Sequence, residues 1–309
     1  MQDILHGRTR LRATRIELAG TVRWWLDEQC WAELAPDQAL ERRLAEADGW
    51  CRAEQLARGL DATGREQLGS LLQLMHRAGL AVEGRPEAVP QSLRVGLVGS
   101  GVLARSVATS LVRSGVRSIT CLDERSPDPL VWPGTRQLTG SAALARSLRP
   151  RHGLRVGIAH GVRELAELGT DIVVVAAGTL EPDRLLLGEL VEHGLGHLVL
   201  GAHQDTGRIG PLVLPGRTPC LQCHDLARAE QDPAWGLVLA QLCQVTARPH
   251  PTIGQVVATR AALELGWAGR DLTHGERLHG RCELHDLERP TVRDVRFSQH
   301  PGCSCARRP

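Results

Sequence analysis

The run Leu93-Arg94-Val95-Gly96-Leu97-Val98-Gly99-Ser100-Gly101-Val102-Leu103-Ala104 decides the fold of the longer part of this chain. Its first six residues form a β run. Gly99 to Ala104 spell a GxGxxA turn, and helical spacing then continues to about Ser114. Ser118–Asp123, SITCLD, reads as a second strand that ends on an acid.

Strand, glycine turn, helix and strand with a terminal carboxylate make a Rossmann-like βαβ unit. Glycines let a ligand's phosphates approach the helix N-terminus, and the acid is placed to hold a ribose hydroxyl. Gly99, Gly101 and Asp123 are therefore candidate nucleotide-binding residues. Downstream, Asp171–Ala177 (DIVVVAA) predicts a strand, Asp183–His193 a helix and His197–Leu200 another strand. Such alternation predicts an α/β domain with a mainly parallel sheet and helices on both faces.

Upstream, Glu83–Ser92 (EGRPEAVPQS) carries two prolines and few apolar residues, which marks a linker over about 86–92. The chain thus divides into domain 1–85, the linker and domain 93–309. In the first domain, helical spacing covers Gln38–Ala47, Arg52–Arg58 and Arg65–Ala78, and Arg15–Trp25 has strand-like content without a firm register. The last helix puts Leu68, Leu71, Leu72 and Met75 on one face, ends near Gly79, and leads into the apolar Leu80–Val82. Helices followed by a short strand suggest a winged helix. Residues 1–92 carry 12 arginines against 14 acidic residues. That balance opposes DNA binding, which needs a basic stripe to release counterions. A structural cap and a peptide-binding module, in which an extended ligand adds a strand to the wing edge, remain as readings.

With 309 residues, 42% of them hydrophobic and a formal charge of +2, the chain is an ordinary two-domain globular sequence. All 37 basic residues are arginine, so any chemistry that needs a lysine is excluded. No stretch approaches the ~18 apolar residues of a membrane span. The N-terminal MQDILHGRTRLRATRIEL lacks the apolar core of a signal peptide, so a cytoplasmic location is expected.

The nine cysteines then read as thiols or metal ligands rather than a disulfide framework. Cys220-Leu221-Gln222-Cys223 is a CxxC pair in a Pro/Gly-flanked loop, and Cys303-Ser304-Cys305 is a CxC pair near the end. Two close pairs match a closed tetrahedral zinc site that crosslinks distant segments. A redox CxxC is the alternative. His224 and His300 flank the pairs and read as surface histidines, while Cys30, Cys51, Cys121 and Cys282 show no partner pattern.

The order of glycine-rich βαβ unit, strand, GRIGPLVLPGRTPCLQC (207–223) and second cysteine pair resembles the ThiF/MoeB-type activating-enzyme superfamily. Those proteins adenylate the C-terminus of a ubiquitin-like or sulfur-carrier partner. The stretch PCLQCHDLARAEQDPAWGLVLAQL and the terminal HPGCSC are similar to one branch, the ThiF-like proteins of azoline-forming peptide cyclodehydratase systems. That branch carries an N-terminal winged-helix leader-peptide clamp. The resemblance implies a homodimer, a structural Zn²⁺, a peptide or small carrier protein as partner, and a YcaO-type enzyme beside it. It does not imply nucleic acid or membrane as a partner.

Matched to the superfamily's ATP·Mg²⁺ site, Asp123 falls on the ribose-binding acid, and Thr135-Arg136-Gln137 echoes the Asn-Leu-x-Arg-Gln segment, so Arg136 is the phosphate-binding candidate. The family's lysine has no counterpart, and the chain is shortened between Gln137 and Arg155. Where the family has Thr-Asp-Asn, this chain reads Ala177-Gly178-Thr179. These losses remove electrostatic stabilisation that adenylation relies on, and imply a degenerate site. Cys243, before QVTARPHPTIG, stands where active members carry a thiol that links to the partner, with Arg248 or His250 as cations to lower its pKa. A buried cysteine at a helix-to-loop corner is the plainer reading.

The leading expectation is thus a peptide-binding adaptor with a weak or absent adenylation activity. The competing one is an active ATP-dependent adenylyltransferase using Asp123 and Arg136. A nicotinamide-dependent oxidoreductase explains the glycine turn but not the four cysteines, and ranks last.

Overall fold

Strand β10 (Ile172–Ala176), IVVVA, is buried along its whole length, as a central strand covered on both faces must be. In the computed structural model it lies inside an eight-stranded sheet. The structure describes residues 8–11, 14–18, 21–34, 40, 43–44, 50–83, 92–268, 278–289 and 291–307. The backbone divides into two units, Met1–Pro86 and Glu87–Pro309.

The first unit contains β1 (Arg8–Leu11), β2 (Thr14–Leu18), β3 (Thr21–Asp27), β4 (Cys30–Leu34), β5 (Trp50–Arg52), α1 (Ala53–Leu56), α2 (Ala62–Arg77) and β6 (Ala81–Glu83). Strands β2, β3 and β4 form an antiparallel meander, and β1 pairs antiparallel with β5 and β6. Helix α2 starts where the Asp61 carboxylate accepts from the Gly64 N–H at 2.8 Å, a side-chain N-cap. As its spacing predicts, Leu68, Leu71, Leu72 and Met75 are buried, and they pack with Trp24 of β3. Gly79 follows with φ +71°, the left-handed geometry that stops a helix. Two three-stranded sheets exceed the short strand and the unregistered strand-like stretch Arg15–Trp25 expected from sequence, and the hairpin β2–β3 accounts for that stretch. Of the predicted Gln38–Ala47 helix, Leu40, Arg43 and Leu44 are described and are helical. The linker lies outside the described residues except for Ser92.

The second unit runs β7 (Arg94–Val98), α3 (Val102–Arg113), β8 (Ser118–Leu122), α4 (Gly140–Leu148), β9 (Arg155–Ile158), α5 (Val162–Glu167), β10, α6 (Arg184–Glu192), β11 (His197–His203), β12 (Thr206–Val213), α7 (Leu221–Gln231), α8 (Trp235–Leu242), α9 (Pro251–Ala268), β13 (Arg281–Asp286) and β14 (Arg293–Arg296). The sheet order is β14-β13-β12-β11-β10-β7-β8-β9. Strands β11, β10, β7, β8 and β9 are parallel, and β12 to β14 extend the sheet as antiparallel strands. Helices α3, α4 and α9 bury their apolar residues against one face, and α5, α6 and the start of α7 against the other. This is the mainly parallel, doubly covered sheet that the sequence predicts.

From β7 the chain crosses to β8 on one side, and β10 returns to the other side of β7. The connections α3 and α5 lie on opposite faces. A topological switch point therefore opens between β7 and β10, where α/β sheets bind ligands. Among the described residues no helix is long and apolar enough to cross a membrane.

Candidate functional site: a crevice at the strand ends and a four-cysteine knot

At this switch point lies a crevice of about 950 Å³, lined by the glycine turn, Asp123, Arg136, Ala177–Thr179 and the segment from Cys243 to Pro249. The sequence candidates Gly101, Asp123, Arg136 and Cys243 are thus brought together. Gly99 supports the turn from behind. Its φ is +104°, and a Cβ there would sit 2.2 Å from the Ala176 carbonyl oxygen. Gly101 has an ordinary φ of −69° and caps α3 without a side-chain hydrogen bond. The first-turn N–H groups of α3 have no partners within the helix, a geometry suited to anions.

Asp123, just past β8, is buried among donors. Ser100 Oγ donates to its Oδ2 at 2.7 Å, and Arg125 Nε donates to its Oδ1 at 2.9 Å. The Trp132 indole N–H donates to the Ser100 carbonyl at 2.7 Å and closes the turn from the other side. Arg136 is exposed on the loop before α4, and among the described residues it makes no ion pair or hydrogen bond.

The segment after α8 is strapped across the strand ends. Ala247 N–H donates to Gly178 O at 2.8 Å, Leu180 N–H to Val245 O at 3.0 Å, and Gln204 N–H to Arg248 O at 2.9 Å. Ala177, Gly178 and Thr179 thus line the crevice without a carboxylate among them, and the strap pairs with the backbone of Gly178 and Leu180. The next acid, Glu181, is committed elsewhere. It takes Arg184 Nη2 at 2.9 Å and Arg208 Nη1 at 2.6 Å, and Arg184 also reaches Asp225 at 2.7 Å. Although burial opposes its charge, the two guanidinium groups hold the Glu181 carboxyl below its usual range.

Cys243 caps α8, and its Sγ donates to the Pro182 carbonyl at 3.4 Å. Burial pushes this thiol up, and the nearby acids Glu181, Asp183 and Asp225 add to that effect. The cation that opposes them is Arg184, not Arg248 or His250. Burial and these acids thus oppose the thiolate form that a nucleophile needs.

The second site is remote in sequence but local in space. Cys220, Cys223, Cys303 and Cys305 are all buried, and their sulfur atoms lie within 4.8 Å of one another. Individual separations are 3.9 Å for Cys220–Cys223, 3.6 Å for Cys220–Cys303 and 3.4 Å for Cys223–Cys305. A tetrahedron of sulfurs at ~2.3 Å from one ion has an edge of ~3.8 Å, so the four atoms fit a metal ion. Cys220 caps α7 and Cys223 sits in its first turn, while Cys305 lies in a short 3₁₀ turn, Ser304–Arg307. Burial raises the Cys220 thiol and holds Cys305 up at about 12, so a cation is what would let these groups ionise. The flanking histidines stay out of the cluster. His300 Nε2 meets Glu230 at 2.9 Å, and His224 packs on Phe297 at 5.1 Å between ring centroids. Cys121 and Cys282 are buried thiols pushed up by burial, to about 12 and about 11.

Sequence reading missed Ser100, Arg125 and Trp132 around Asp123, and the Glu181–Arg184–Asp225 chain. Ser100 stands inside the GxGxxA motif itself, and Arg125 is two residues past the acid, but neither spacing carries a rule. Ion pairs across 27 and 41 residues have no local signal.

No protein-family model and no curated protein sequence matches this chain. Solved structures do. The microcin C7 biosynthetic enzyme MccB in complex with N-formylated MccA shares 13% identity at a TM-score of 0.64, over 97% of this chain and 99% of that one. E. coli MccB with ATP gives 13% and 0.63 over 96% and 99%. The heterocyclase TruD gives 16% and 0.56 over 97% of this chain, which corresponds to 43% of that protein. These likenesses establish the fold, which this chain shares with MccB over nearly the whole of both chains.

Proposed function

We propose that this protein is a peptide-binding adaptor whose adenylation crevice is degenerate, and that it presents a precursor peptide to a separate modifying enzyme of the YcaO cyclodehydratase type. The observation that carries the reading is the crevice wall at Ala177–Thr179. No acid stands at those three positions, and the next one along the chain, Glu181, is bound by two arginines. Without a carboxylate to anchor Mg²⁺ there, and without any lysine, the cations left to face a triphosphate are arginines such as Arg136 and Arg248. MccB, of the same fold, has been seen with the peptide MccA, and TruD is a heterocyclase. Both support a peptide as the partner.

In this reading residues 1–85 are the winged-helix-like clamp, and β4, an outer strand of its meander, takes the peptide as an added strand. The four cysteines hold a structural Zn²⁺, which locks α7 to the end of the chain. The protein acts in the cytoplasm as a homodimer. The test is binding of a fluorescent leader segment, from a precursor peptide encoded beside the gene, to the intact protein. We expect saturable binding that is lost when proline replaces Ala32 in β4. Failure of every such peptide to bind overturns the reading.

The crevice volume and the unpaired Arg136 favour a second reading, an active adenylyltransferase. It requires pyrophosphate exchange with a carrier protein that ends in Gly-Gly. No exchange across candidate carriers eliminates it.

A further inference from the structure

Asp123 has no acceptor capacity left for a ligand. Its Oδ1 takes Arg125 N–H at 3.2 Å and Arg125 Nε at 2.9 Å, and its Oδ2 takes Ser100 Oγ at 2.7 Å and Arg125 Nη2 at 3.3 Å. A carboxylate offers about four lone-pair sites, and four donors fill them. The side chain is only 5% exposed, and Gly140 packs so closely that a Cβ there would meet the Asp123 Cγ at 3.0 Å. No ribose hydroxyl can reach this acid without displacing one of its donors.

Three of the four donors belong to Arg125, whose side chain is 58% exposed. Its guanidinium also stands at the divide between two cavities. The 950 Å³ crevice and a neighbouring one of about 660 Å³ share Asp123, Arg125, Ala177, Thr179, Cys243 and Gln244 as walls. Arg125 Nη2 reaches toward the end of β10, 3.8 Å from where a Gly178 Cβ would be.

We propose that Arg125 is the specificity-determining residue that excludes nucleosides from this fold's crevice. It places an internal guanidinium on the acceptor positions that ribose hydroxyls would use. The space and the glycine turn for a nucleoside persist, and the exclusion is local to one exposed side chain. This deepens the degenerate-site reading and rests on it.

The test is calorimetric titration of the intact, zinc-loaded protein with adenosine, then with ATP·Mg²⁺. The wild type should show no saturable binding at millimolar adenosine. Arg125→Ala should bind at least about tenfold more tightly, since hydrogen bonds to a charged acceptor become available. Adding Asp123→Asn to it should abolish the gain. Arg125→Gln, together with zinc content and melting temperature, separates misfolding from loss of binding. If wild type binds adenosine and Asp123→Ala abolishes it, both this proposal and the degenerate-site reading fall. If folded Arg125→Ala and Arg125→Gln bind no better than wild type, this proposal alone falls.

Discussion

The sulfur atoms of Cys223 and Cys305 lie 3.4 Å apart although 82 residues separate them. A helix start and the chain's last described turn are brought together there, with four sulfurs spaced as one metal ion would need. One metal ion per chain, identified as zinc by elemental mass spectrometry, is the expected content. Cys305→Ser should lower that content and lower stability on the order of 3 kcal/mol. For a unit of this size the loss is about 6–12 °C in melting temperature. Full zinc content with unchanged melting would contradict the knot.

The two glycines of the turn should separate in mutagenesis. At Gly99 an added Cβ would collide with the Ala176 carbonyl at 2.2 Å, on a backbone at φ +104°. Gly99→Ala should cost more than about 2 kcal/mol, from steric strain with no ligand present. Gly101→Ala meets its nearest neighbour, the Gly178 Cα, at 3.6 Å and should fold like the wild type. Chemical denaturation of both variants measures the contrast.

His197 at the start of β11 is buried, and burial lowers its pKa to about 4 from 6.5. The folded state thus prefers the neutral ring. Above pH 6.5 neither state is protonated and nothing is lost. As pH falls from 6.5 toward 4, the unfolded state gains a proton that the folded state refuses, and stability declines by up to about 3 kcal/mol. His197→Gln should flatten that acid limb in a pH series of melting temperatures. An unchanged slope would mean that the ring titrates normally.

Cys243 should alkylate more slowly than a free cysteine at pH 7.5, because its thiol is raised by burial and by nearby acids. Peptide mapping after a timed iodoacetamide pulse measures this. Labelling faster than free cysteine would return the thiol to the list of reactive groups.

Much of the larger unit was legible because its signals are local. A βαβ unit announces itself through a glycine turn between an apolar strand and an amphipathic helix, and the cysteine pairs through their spacing. Helix α2 was readable from four apolar residues at helical spacing, with Gly79 as its stop. What stayed hidden depends on folding first. The antiparallel strands β12 to β14 and the meander of the first unit have registers set by their partners rather than by local pattern. Asp123 was correctly placed at a strand end, yet its occupation by Arg125 depends on a side-chain conformation that no motif encodes. In the same way, the strap beyond Cys243 reads as loop until its backbone bonds to Gly178, Leu180 and Gln204 exist.

The half-buried relay from Asp225 through Arg184 and Glu181 to Arg208 joins α7, α6, the loop between β10 and α6, and β12. Removing any one member strands a neighbouring charge in a poorly solvated place, so single substitutions will each cost nearly as much as several together. The cysteine-bearing helix, the crevice rim and the antiparallel extension are thereby thermodynamically coupled, and they are expected to open to hydrogen exchange as one cooperative unit.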